Sequence, residues 1–229
     1  TASEIPTVLC GWRIDQSPTA RTLSDVQLIN LMLNDKDNDV RYVDCNNAMV
    51  FTNGGAEQQI IMPAPSVLET TQQPIQAWLE QGAFKTEDGL SDAIYVLDVE
   101  SSLADTLGLL TGQPSVHFAP EAGGNSNTLV NTPISFGDNL TFLGATTPET
   151  ATFSPGDTVT VVTYWRADGD VPQDLRLFTH ILADPGASPP ANADILNLSP
   201  GSLQNRDVFI QITHIPLPES LPAGTYDIS

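Results

Sequence analysis

The sequence is poor in basic residues, cysteine and histidine, and it holds no long apolar run. Eight Lys and Arg stand against 28 Asp and Glu, a formal net charge of −20. A surface this acidic repels nucleic-acid phosphates and anionic lipid headgroups, which excludes broad electrostatic binding to either. No stretch approaches the roughly 18 consecutive apolar residues that a membrane-spanning helix needs. No basic start followed by an apolar run marks a signal peptide. The expectation is a soluble piece with no direct membrane insertion, processed or cut from a longer chain. Two cysteines, Cys10 and Cys45, are too few for a disulfide scaffold, and with three histidines they suggest no structural zinc site. They allow one bridge or two inert buried thiols.

What is present is enough for a core. Of 229 residues, 40% are hydrophobic, and the length fits one large or two ordinary domains. The 18 prolines are unevenly spread, with 11 after residue 130. Before about residue 110 the pattern mixes helix and strand. Thr7-Val8-Leu9-Cys10, Val40-Arg41-Tyr42-Val43, Ala48-Met49-Val50-Phe51, Gln59-Ile60-Ile61-Met62 and residues 93–99 read as strands. Residues 22–33 carry a wide apolar helical stripe, Pro74 suits the first turn of a helix burying Ile75, Trp78 and Leu79, and residues 101–110 read as a short helix interrupted by Gly108. Residues 119–132 are small, polar and aperiodic, as linkers are. Beyond them, strand-like runs at 140–144, 158–166, 175–182, 208–215 and 225–228 are separated by Pro, Gly and Asp turns. In the second of these, alternation places Val159, Val161, Thr163 and Trp165 on one face.

This predicts a small mixed-sheet α/β domain over 1–114, a linker over 115–133, and an antiparallel β-sandwich over 134–229, Ig-like or jelly-roll-like. The sequence stops inside the last predicted strand, as a cut piece does. Cys10 and Cys45 each end a strand-like run. A helix between the two makes those strands plausible parallel neighbours, so the cysteines can approach one another.

Candidate chemical groups are few. Asp35, Asp37 and Asp39 place acidic oxygens at alternate positions, as a calcium loop does. The sixth position is Val40 where glycine is needed, and the twelfth is Asn46 where a bidentate Glu is needed. Both departures favour a solvated acidic turn. His180 and His214 lie mid-strand without a third ligand at suggestive spacing, which favours hydrogen-bonded structural roles. No nucleophile elbow, zincin helix or Cys–His arrangement occurs, and Gly54-Gly55 lacks a dinucleotide fingerprint, so neither a catalytic residue nor a cofactor is assigned. Tyr164 and Trp165 are candidate sugar contacts, although an aromatic on an alternating strand more often packs into a core. Asn139-Leu140-Thr141 and Asn197-Leu198-Ser199 fit the glycosylation pattern.

An ordered series of segments carries a resemblance: Ser135-Phe136-Gly137-Asp138-Asn139-Leu140-Thr141-Phe142-Leu143-Gly144, then SPGDTVTVVTYWRA, VPQDLRLFTHIL and DVFIQITHIPLPESLPAGTY. It resembles the extracytoplasmic β-rich C-terminal region of multi-spanning bacterial glycosyltransferases of the Chloroflexus type, in the mannosyltransferase-like family that uses lipid-phosphate sugar donors. VRYVDCNNAMVFTNGG and the Ala77-Trp78-Leu79 helix are similar to the α/β segment that follows the last membrane helices. The resemblance covers most of residues 40–229. One departure is Leu203-Gln204-Asn205-Arg206-Asp207, where the family pattern has Trp-Pro-Gly-Asp. The resemblance implies a membrane-embedded parent whose chemistry lies on acidic residues of a membrane loop that this sequence does not contain.

The functional expectation is therefore a non-catalytic extracytoplasmic domain that assists recognition of a glycan or acceptor protein. Two alternatives stand beside it. One is a free-standing carbohydrate- or protein-binding module of a cell-surface protein. The other is a glycoside-acting enzyme with an unrecognised carboxylate pair.

Overall fold

A computed structural model describes residues 5–10, 39–62, 71–85, 93–118, 127–146, 152–183 and 188–229. The helix expected over 22–33 lies outside them. In chain order the strands are β1 (Thr7–Cys10), β2 (Val40–Val43), β3 (Ala48–Phe51), β4 (Gln58–Met62), β5 (Ala83–Lys85), β6 (Ala93–Leu97), β7 (Pro114–Phe118), β8 (Asn127–Asn131), β9 (Ile134–Phe136), β10 (Leu140–Thr146), β11 (Thr158–Ala167), β12 (Thr179–Leu182), β13 (Ala191–Ala193), β14 (Val208–Pro216) and β15 (Asp227–Ile228). The helices are α1 (Gln73–Leu79) and α2 (Glu100–Leu110).

The described residues are predominantly β and none of their sheets closes into a barrel. A mixed sheet runs β2-β1-β4-β6-β5, with β1 parallel to both β2 and β4. A second sheet, β3-β14-β11-β10-β9, is antiparallel throughout. Smaller antiparallel sheets are β13-β12-β15 and β7-β8.

The expected division into two domains is corrected by β3. This strand comes from the N-terminal half, yet it pairs with β14, Phe51 opposite Val208 and Ala48 opposite Gln211. All four of its side chains are buried, so it needs apolar partners on both faces and finds them in different parts of the chain. One core consequently joins Val8, Met49, Ile60 and Trp78 to Leu140, Tyr164, Phe209 and Ile210. The change in proline content marks a change of local structure and not a border between cores. The predicted linker is corrected too, since β7 and β8 pair across it, Pro114 opposite Asn131 and Phe118 opposite Asn127. Ladder bonds are made by the main chain, so a polar composition does not prevent them.

The other elements follow local chemistry. Pro74 sits in the first turn of α1, where a missing N–H costs nothing, and Ile75, Trp78 and Leu79 point inward. Helix α2 continues through Gly108 and packs against β10 at Gly144, whose φ is +144°. A Cβ there would lie 2.8 Å from Leu110 Cβ, so glycine permits the close approach. Strand β11 buries side chains on both of its faces. Val159 and Val161 bury with Ile181, Ala191, Ile215 and Leu217, whereas Val162 and Tyr164 bury in the main core.

Candidate functional site

Of the three metal candidates, Asp39 alone lies among the described residues. Asp35 and Asp37 lie outside the described residues. Asp39 accepts a 2.5 Å bond from Arg41 Nη1. Among the described residues no group of three His, Cys, Asp or Glu is placed to hold a metal ion. Arg41 instead reaches a second acid, Asp207, in the turn before β14. Nε donates at 2.5 Å and Nη2 at 3.3 Å. Asp207 also accepts the amides of Asn53 at 2.9 Å and Gln204 at 2.8 Å. Burial alone would lower the Arg41 pKa, but the two carboxylates outweigh it and hold the guanidinium above its ordinary value. Arg206, next to Asp207, takes a left-handed conformation, φ 73°.

Cys10 and Cys45 form a disulfide with Cα atoms 5.1 Å apart. β1 and β2 are parallel neighbours, with Cys10 opposite Val43, and both cysteines are buried. The bridge fastens the start of the mixed sheet to the turn that leads into β3. It thereby ties together the strands that enter the two large sheets.

The two candidate sugar contacts have different fates. Tyr164 is 5% exposed, inside the core, so a sugar ring has no access to it; burial raises its phenol pKa, partly offset by a side-chain hydrogen bond with Trp78. Trp165 lies on the opposite face, in the middle of an aromatic row that crosses the antiparallel sheet. It stands opposite Phe142 on one side and Phe209 on the other. Ring centroids are 4.9 Å to Phe142, 5.7 Å to Phe136 and 6.4 Å to Phe209, the last nearly parallel at 11°. The indole N–H donates to Thr163 Oγ1 at 2.9 Å. The row grades from fully buried Phe209, through half-buried Trp165 and Phe142, to Phe136 at 49% exposure on β9. Sequence reasoning passed over Phe136 and Phe142. Their signal was the pair of short alternating runs on either side of Gly137-Asp138, a hairpin signature that sets both rings beside Trp165.

Polar groups line the opposite face of the same edge. Ser135 and Thr141 hydroxyls are 3.3 Å apart, Thr141 Oγ1 donates to Asp168 at 2.5 Å, and Arg166 Nε donates to Asp168 at 2.5 Å. Burial would raise the Asp168 pKa, yet these bonds together hold it below the usual carboxylate value. His214 Nδ1 lies 2.9 Å from Thr160 Oγ1, and His180 Nε2 lies 3.2 Å from Asp194 Oδ1.

Among the described residues no helix is long and apolar enough to cross a membrane. Compared with family models, curated proteins and solved structures, the chain matches none.

Proposed function

We propose that this protein is a non-catalytic extracytoplasmic domain of a membrane glycosyltransferase, and that it holds a neutral glycan acceptor against Phe136 and Trp165. The observation that carries the reading is the aromatic row, which is fixed from behind by buried Phe209 and opens to solvent at Phe136. A rigid aromatic face with an apolar body suits stacking against the C–H face of a pyranose, at low conformational cost. The compartment is supported by the buried Cys10–Cys45 bridge, since such bonds persist where the surroundings are oxidising. A net charge of −20 disfavours anionic polymers and leaves uncharged glycans unaffected. The C-terminal half is read as an antiparallel sandwich in which β12 and β13 face β11 and β14 across Val159, Val161, Ile181, Ala191 and Ile215.

Calorimetry against a panel of neutral oligosaccharides tests the proposal. The expected result is binding that Phe136→Ala weakens about tenfold, in line with loss of one stacked aromatic. Binding indifferent to Phe136→Ala and Trp165→Ala, or no binding at millimolar glycan, overturns it. Turnover of a glycoside abolished by a single carboxylate substitution would replace it with the enzymatic reading.

A further inference from the structure

A second surface group lies on the outer face of β12 and β13, away from the aromatic row. His180 stands directly opposite Asn192 in the antiparallel register. Two residues along, Phe178 and Asp194 complete a square of four outward side chains, while Thr179, Ile181 and Ala191 between them point into the core. The square is held together internally. His180 Nε2 lies 3.2 Å from Asp194 Oδ1, Asn192 Nδ2 donates to Asp194 Oδ2 at 3.1 Å, and the rings of Phe178 and His180 meet edge to face at 6.1 Å. Phe178 is 58% exposed, so its ring face is open to a ligand.

The hydrogen-bonding capacity left over is mostly for accepting, the second N–H of Asn192 Nδ2 being the exception. Asp194 Oδ2 has accepted one bond, from Asn192, and Oδ1 faces His180 Nε2, so each oxygen can accept a further bond. With the His180 proton at Nε2 facing the carboxylate, Nδ1 is an acceptor, and Asn192 Oδ1 is an acceptor as well. The square therefore offers acceptors, a negative charge and an aromatic face. A ligand that complements it is a planar, donor-only cation. A guanidinium matches on all three counts, because its fork of N–H groups meets a carboxylate while its plane stacks on a ring. An ammonium meets the charge but not the plane. The wider field points the same way, since 28 acids against 8 bases attract a basic partner from a distance. The platform is also rigid: Ile181 and Ala191 are fixed in the cluster with Val159, Val161 and Ile215, so little ordering is needed on binding.

We propose that the outer face of β12 and β13 captures an arginine side chain on a basic segment of a partner protein. This site is separate from the glycan reading of Phe136 and Trp165, and the two stand or fall independently.

The test is an NMR titration of the intact protein with N-acetyl-arginine amide and with N-acetyl-citrulline amide, its uncharged twin. The expected result is saturable shifts at Phe178, His180, Asn192 and Asp194 with the arginine ligand and none with citrulline. Asp194→Asn should weaken binding about tenfold, as for loss of a charged hydrogen-bond acceptor, and Phe178→Leu about threefold, as for loss of an exposed cation–π contact. Asp105→Asn, an exposed acid on α2, serves as the control and should leave binding unchanged. Equal shifts with citrulline, no saturable shift at the square, or equal effects of Asp194→Asn and Asp105→Asn would each overturn the proposal. Both test residues are partly exposed, and a thermal melt of each variant checks its fold.

Discussion

Asp207→Asn probes the join between the two halves of the chain. The carboxylate is 1% exposed and the Arg41 side chain 3% exposed, so both charges are out of water and each depends on the other. Asparagine keeps the shape and one acceptor oxygen, which can still take the Asn53 amide. Its NH2 group then takes the place of the oxygen that accepts from Arg41 Nε and from the Gln204 amide, and faces two donors. Breaking one side of a buried pair costs about 3–5 kcal/mol. Asp39 still holds Arg41 Nη1 from a partly exposed position, which places the expected loss near about 3 kcal/mol, at the lower end of that range. For a chain of this length that is a fall in melting temperature of about 10 °C. Urea denaturation followed by circular dichroism measures it, with Arg41→Met and the double variant completing a cycle. The coupling between the two sites should reach about 2 kcal/mol, since they share one network. A loss below about 1 kcal/mol for Asp207→Asn, the scale of an exposed pair, would refute the view that this contact fastens β2 to β14.

Three further outcomes are expected. The double variant Cys10→Ser, Cys45→Ser should lose about 3–4 kcal/mol, because the bridge closes a separation of 35 residues in the unfolded chain; urea midpoints identical to wild type would contradict this. Thr52→Val should gain about 1 kcal/mol, since Thr52 Oγ1 is buried and finds no partner among the described residues, and a methyl group of the same shape removes that unmet hydrogen bond; a destabilised variant would show that the hydroxyl is satisfied. Asp168 has a folded pKa held below its unfolded value, so its contribution to stability is present above about pH 4 and is lost as pH falls through the lower folded value. Wild type and Asp168→Asn should accordingly differ in urea midpoint at neutral pH and converge in strong acid, and a gap that persists there would reject the assignment.

Local chemistry was legible in the sequence wherever neighbours along the chain decide it. The strands near residues 7–10, 40–43, 48–51 and 208–215, the helix opened by Pro74, and the nearness of Cys10 to Cys45 all follow from short-range pattern, turn residues and the preference for parallel pairing when the intervening sequence reads as helical. Acidity and the scarcity of bases are likewise properties of composition. What the sequence could not show is which strand borders which. An all-apolar run such as Ala48-Met49-Val50-Phe51 reports that both faces must be buried and says nothing about the partner. Tertiary packing chose β14, about 160 residues away, and with that choice turned two apparent domains into one core. The fate of the aromatics was decided in the same way. Tyr164 and Trp165 are adjacent and equally apolar in pattern, but strand alternation sends one into the core and the other to a row that ends at the surface. Phe178, His180, Asn192 and Asp194 form a surface only because β12 and β13 pair in one register, and register is a long-range property that depends on which face the core covers.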